Sequence, residues 1–130
     1  SANTPKVNPI VDISKIAAVK KLINSIYVDE KIKSYVVDIV NATRFPEKYK
    51  LDSIKNWIKY GASPRATIFL IQAAKAYAFI SQRAYITPQD IKAVGFSVLR
   101  HRIITSYEAE AEEISTETIV KTIFEAIEVP

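Results

Sequence analysis

A chain of 130 residues and 14.6 kDa, 48% apolar and 25% charged, has the size and composition of one globular domain. It has no cysteine, one histidine (His101) and two glycines, which excludes disulfides, thiolate catalysis, a multi-histidine metal centre and a glycine-rich phosphate loop. The net charge of +4 is uneven: residues 1–65 hold 12 Lys/Arg and 6 Asp/Glu, whereas residues 66–130 hold 6 and 8, so the first half invites a phosphate-bearing partner or is simply a solvated basic surface.

Residues 1–9, with two prolines and two asparagines, read as a linker or appended tail, and residues 10–130 as the domain. Asp12 caps a first helix carrying Ile13, Ile16, Ala17 and Ile23, with Val11 placed to staple onto Ile16. Asp29 caps a second, in which Ile32, Tyr35, Val36, Ile39 and Val40 form one buried stripe that ends near Arg44-Phe45-Pro46. Leu51, Ile54, Trp57 and Ile58 suggest a short helix or turn before Gly61. Ser63-Pro64 starts the next helix, because the serine hydroxyl can accept an orphan amide and proline at the first position loses nothing. That helix runs through Ala66, Leu70, Ala74 and Ala78 to about Ser81, with a broad apolar face suited to a central position.

Thr87-Pro88-Gln89-Asp90 reads as a capping box with Ile86 stapled on Ile91, and Ser115-Thr116-Glu117-Thr118 as a repeat of it with Ile114 facing Ile119. The acidic stretch 108–113 between them is expected to be a solvated bend or frayed helical end. The expected fold is all-α, a small bundle of about five helices, with at most a two-residue bridge between Tyr85-Ile86 and Glu113-Ile114. No apolar run approaches the roughly 20 residues of a bilayer span, so a soluble, cytoplasmic chain without a membrane partner is expected. The complete lack of methionine suggests a piece of a larger protein.

Four segments form a recognisable series: Gly61-Ala62-Ser63-Pro64-Arg65-Ala66, Ala73-Ala74-Lys75-Ala76-Tyr77-Ala78, Arg83-Ala84-Tyr85-Ile86-Thr87-Pro88-Gln89-Asp90-Ile91 and Val98-Leu99-Arg100-His101-Arg102-Ile103. The series resembles the C-terminal lid of MoxR-family AAA+ ATPases, and Tyr35 through Ala42-Thr43-Arg44 is similar to that lid's second helix, so the resemblance spans roughly residues 10–128. The large α/β subdomain with its Walker motifs is not in this chain. The resemblance implies that Arg65 is the second-sensor arginine that reaches the γ-phosphate of ATP, with Ser63 and Pro64 shaping the helix start.

It further implies ATP and Mg²⁺ as cofactors of the parent protein but not of this chain alone, which is expected not to be an enzyme by itself. The implied partners are the large subdomain, neighbouring subunits of a hexameric, chaperone-like ring, and a von Willebrand factor A protein. Chemically, an arginine in a first helical turn opposes the macrodipole by about 0.3–1 kcal/mol, which a bound phosphate would offset; the plain alternative is that Arg65 points to solvent or pairs with a carboxylate.

Arg44 reads as a carbonyl cap or, through the resemblance, an interface residue. His101 and Arg102 are further interface candidates, His101 being otherwise a packing residue or one facing a helix C-terminus. Trp57 between Lys55 and Lys59 fits a base-stacking platform, or a satellite core aromatic. A helix within 52–60 departs from the looser approach to Gly61 that the family suggests. The competing functions are a helical nucleic-acid-binding module, disfavoured by the acidic second half, and an unrelated protein-interaction domain; nucleic acid is not expected as a partner.

Overall fold

The computed structural model describes residues 2–130. Five longer helices carry the architecture: α1 (Ile13–Asn24), α2 (Glu30–Arg44), α4 (Ala66–Ile80), α5 (Pro88–Leu99) and α7 (Thr116–Ala126). Two short helices, α3 (Asp52–Lys55) and α6 (Tyr107–Ala111), and a 3₁₀ turn over Pro46–Tyr49 fill the gaps, and β1 (Ile58–Tyr60) pairs antiparallel with β2 (Ile104–Thr105). No helix among the described residues is long and apolar enough to cross a membrane.

The helix starts follow from local chemistry. Asp12 accepts the Lys15 amide at 2.9 Å and Asp29 that of Lys31 at 2.9 Å. Thr87 and Asp90 form the reciprocal capping box, and Arg83 adds a second grip on the buried Asp90 carboxylate, with its Nη1 2.7 Å from Oδ2. Burial acts to raise the pKa of Asp90, but the Arg83 hydrogen bonds and the Thr87 amide outweigh it and hold the carboxyl below the ordinary carboxylate value. Ser115 does not repeat this box. Its hydroxyl accepts the Thr118 amide at 3.2 Å, but the residue three beyond the cap is Thr118, which carries no carboxylate to reach back.

The core lies between α2, α4, α5 and α7, with Val36, Ile39, Leu70, Ile91, Leu99 and Ile123 among its fully buried side chains. The apolar face expected on α4 has as its buried centre a line of every fourth residue, Ala66, Leu70, Ala74 and Ala78, flanked by the partly buried Ile71 and Phe79, and α5, α2 and α1 pack against this helix. The three alanines on that line let the neighbouring helices come close. Ile68, Phe69, Tyr77 and Ile80 on other faces of α4 stay exposed. Helix α1 contributes no buried residue, and Val11 and Ile16, expected to staple, are both about half exposed.

The strand pairing differs from the sequence expectation. Tyr85 bridges to Tyr27, parallel, with the Tyr27 amide on the Ala84 carbonyl at 2.8 Å and the Ile86 amide on the Tyr27 carbonyl at 3.0 Å. Glu113 instead takes a left-handed turn (φ 58°) and Ile114 returns its amide to Ala109, closing α6 rather than forming a strand. The acidic segment is thus partly helical, with Ser106 capping the Ala109 amide at 3.1 Å.

Candidate functional site

The segment Gly61–Arg65 joins β1 to α4, and its backbone is fastened to the end of α2. Thr43, on the buried stripe of α2 and fully inaccessible, accepts the amide of the buried Ala62 at 2.9 Å and donates to the Val40 carbonyl at 2.6 Å. Arg44 reaches the other pole of the same residue, its Nη1 donating to the Ala62 carbonyl at 3.3 Å. Gly61 lies so near the helix end that a Cβ there would fall 2.3 Å from the Thr43 carbonyl oxygen. Only glycine permits that approach.

From this anchor the chain turns into α4. The Ser63 carbonyl accepts the Ala66 amide at 2.8 Å, the Pro64 carbonyl accepts the Thr67 amide at 3.1 Å, and the Ser63 hydroxyl accepts the Arg65 amide at 3.3 Å. Arg65 therefore enters the helix in α conformation (φ −61°, ψ −21°), directly before Ala66, with its side chain exposed. Among the described residues no carboxylate pairs with its guanidinium, and the first turn of α4 contains no acid.

The other candidates fall on two sides of this segment. Arg44 is a carbonyl cap, though of the loop and not of its own helix, and its guanidinium also lies 5.7 Å from the Phe45 ring centre. Arg102 donates to the Val98 carbonyl at 2.6 Å at the end of α5 and lies 4.6 Å over the Phe69 ring. Phe69 is four residues beyond Arg65 on the same helical face, so Arg102 sits one turn along from it. His101 is exposed in the turn after α5, with its Nε2 2.6 Å from Arg102 Nη1, so it is not a packing residue. Trp57 packs against the core and donates Nε1 to Glu112 at 3.1 Å, which commits the indole to the fold rather than to a stacking platform.

The arrangement offers an anion the free guanidinium of Arg65 on an anchored loop, while those of Arg44 and Arg102 are each held by a backbone carbonyl. Among the described residues no group of three or more His, Asp or Glu is placed to hold a metal ion. Sequence reasoning singled out Arg65 and Arg44 but not Thr43 as the link between them. A lone hydroxyl continuing the apolar stripe Val36, Ile39, Val40 was the available signal, because a buried hydroxyl requires partners. Arg83 was likewise missed as the partner of Asp90.

The family model for the AAA lid domain matches residues 53–123. The chain is 34% identical over 126 residues to Chaperone MoxR1 of Mycobacterium tuberculosis, covering 97% of this chain and 33% of that protein. It is 29% identical to Protein MoxR of Methylorubrum extorquens over 93% of this chain and 37% of that one. A crystal structure from Cytophaga hutchinsonii, of a protein classed as an ATPase, superposes with a TM-score of 0.87 at 43% identity, covering 90% of this chain and 36% of that one. The chain spans about a third of the length of the curated relatives it matches.

Proposed function

Because the chain belongs to the AAA lid domain family, as the C-terminal lid of a MoxR-type AAA+ ATPase, we propose that it closes over ATP held by a larger subdomain of the same protein and senses the γ-phosphate through Arg65. The observation that carries this reading is the anchoring of Arg65. A buried hydroxyl, a second arginine and a glycine contact fix the loop before it, yet its own guanidinium is exposed and unmatched by any carboxylate among the described residues. A surface arginine serving only solubility needs no such support.

In this reading the guanidinium fork meets the phosphate oxygens in two parallel hydrogen bonds. The positive end of α4 adds to the attraction, so the cation that opposes the dipole in the free lid is matched once the anion arrives. ATP supplies the transferable phosphoryl group and Mg²⁺ neutralises its charge, both held by the larger part. This chain contributes orientation and a rigid body whose position depends on whether the γ-phosphate is present. Exposed Phe69 under Arg102 and His101 beside it supply contacts to a neighbouring subunit in a ring. A chaperone-like role for the ring, working in the cytoplasm with a von Willebrand factor A partner, completes the proposal. The name of the Mycobacterium relative is in keeping with that role.

The test is Arg65→Ala in the longer protein, read by steady-state phosphate release. Turnover is expected to fall markedly, though by less than the roughly 10³ to 10⁵ that a trans-acting arginine finger contributes. Arg65→Lys is expected to restore it only in part, because an ammonium cannot make the planar two-pronged contact. Normal turnover in Arg65→Ala overturns the role.

A further inference from the structure

A second group of cationic residues lies at the start of the anchored loop, and the lining they share leaves out Arg65. A cavity of about 240 Å³ opens between the end of α2, the 3₁₀ turn, α3 and β1, and Arg44, Lys55 and Lys59 line it together with Thr43, Glu47 and Gly61. Arg65 does not line it. We infer that this cavity binds one phosphate-class oxyanion, held by Arg44, Lys55 and Lys59. The inference is independent of the role given to Arg65.

The charge balance supports it. Residues 44–65 contain six Lys/Arg and two Asp/Glu, a surplus equal to the net charge of the whole chain. Three of the residues that carry those cations line one hollow, and among the described residues none of the three forms an ion pair, the Lys59 ammonium resting 5.6 Å from the Tyr60 ring centre. Glu47 shares the lining yet lies within ion-pair distance of none of them. The negative end of the α2 dipole attracts cations too, but a helix end is equivalent to about half a negative charge. Glu47 and that half charge together leave the hollow cationic by more than one unit.

The size and donors fit the same ligand. A water occupies about 30 Å³ of liquid volume, so the cavity holds a phosphate group together with several waters. Arg44 presents a planar fork and the two lysines present mobile point charges, a combination suited to oxyanions. Arg44 bonds to the Ala62 carbonyl with one nitrogen at a long 3.3 Å, leaving its other donors for an anion. Thr43 and Gly61 form the shared wall between this cavity and the loop that leads to Arg65. An occupant would therefore bear on the same contact that positions Arg65.

The experiment is a titration of the chain with inorganic phosphate at constant ionic strength, following the Gly61 and Thr43 amide signals by ¹H–¹⁵N NMR. The expected result is a saturable shift at both amides, weakened about tenfold or more in Lys55→Gln/Lys59→Gln, since hydrogen bonds to charged groups are the stronger class. The double variant Lys20→Gln/Lys21→Gln, which removes the same charge from exposed α1, is expected to bind as the parent does. A parallel titration with ADP separates the sources: tighter binding at the same amides identifies a nucleotide phosphate, and equal or weaker binding identifies free phosphate. Shifts that do not saturate, that chloride reproduces, or that fall equally in both double variants overturn the site.

Discussion

Thr43 and Ala62, 19 residues apart in sequence, are joined by a buried hydrogen bond of 2.9 Å in which a threonine hydroxyl takes up a backbone amide. The same hydroxyl donates to Val40, so its one proton is used, and both residues are inaccessible to water. Thr43→Val keeps the shape and removes the hydroxyl, stranding the Ala62 amide. The expected loss is about 1–3 kcal/mol by urea unfolding, with Thr43→Ser losing less because it retains the bond. Equal stability of Thr43→Val and the parent would show that the loop finds another partner.

The two glycines are expected to respond differently to a methyl group. In Gly61→Ala the new Cβ meets backbone, 2.3 Å from the Thr43 carbonyl oxygen, so the loop must move away from α2. A loss above about 2 kcal/mol is expected, as for severe overpacking. In Gly95→Ala the clash is with the Phe124 ring, 2.2 Å away at the nearest carbon. That ring is a side chain and can shift against Phe96, whose centre is 5.5 Å off. Overpacking of about 1–3 kcal/mol is there offset by the roughly 1 kcal/mol that alanine gains over glycine in a helix. Thermal unfolding of both variants checks the order.

Acid stability is expected to depend on Asp90. Its folded carboxyl ionises more readily than an unfolded one, so its contribution is complete above the ordinary value near 3.9 and disappears as pH falls through the lower folded value. Asp90→Asn is expected to reduce stability at pH 7 by roughly 1–3 kcal/mol, through lost charge-assisted hydrogen bonds and a weakened cap. The gap between variant and parent should close as pH drops below about 4. A gap that stays constant from pH 7 to pH 2 would rule out the ionised carboxylate as its source.

Arg65→Ala is expected to leave the isolated chain as stable as before, within about 0.5 kcal/mol, since the side chain is exposed and its removal relieves a small dipole conflict. Denaturant midpoints compare the two, and an unfolded variant would assign the residue a structural duty. The isolated chain is also expected to bind free ATP only weakly, because one arginine cannot offset the entropy of capture without the main phosphate site. Calorimetry showing micromolar affinity contradicts that.

The helix starts at Asp12, Asp29 and Thr87 were legible because caps and stripes are local patterns that a few adjacent residues specify. Ser115 likewise caps α7, whereas α4 begins at Ala66 with no side-chain cap, two residues past the Pro64 that the sequence places first. The strands were not legible: β1 and β2 span three and two residues, too short for an alternating pattern to register. Tyr85 does form a bridge, but to Tyr27 and not to Glu113, and nothing near it in sequence points to that partner. The second capping box failed on one position, where Thr118 stands in place of an acid.

At the site, Arg65 and the ends of α2 and α5 were marked by the family resemblance, while the bond from Thr43 to Ala62 is tertiary and leaves only a polar residue on an apolar stripe as its trace. Of the two plain readings of His101, packing fails because a position two beyond Leu99 falls outside the buried stripe once α5 ends, while a place beside a helix C-terminus agrees with the structure.

Helix α1, with no buried residue, is tied down chiefly at its C-terminal end and just beyond it, where Lys75 holds the Asn24 carbonyl at 3.2 Å and the Tyr27 backbone bridges to residues 84–86. Its amides should therefore exchange with deuterium through local openings that leave the rest intact, at a free energy well below that of global unfolding. Lys15, Lys20 and Lys21 along it become accessible to trypsin in the same openings, whereas the amides of α2, α4 and α7 wait for the whole domain to open. The molecule thus carries a peelable first segment on a cooperative remainder, two stability levels within a single domain.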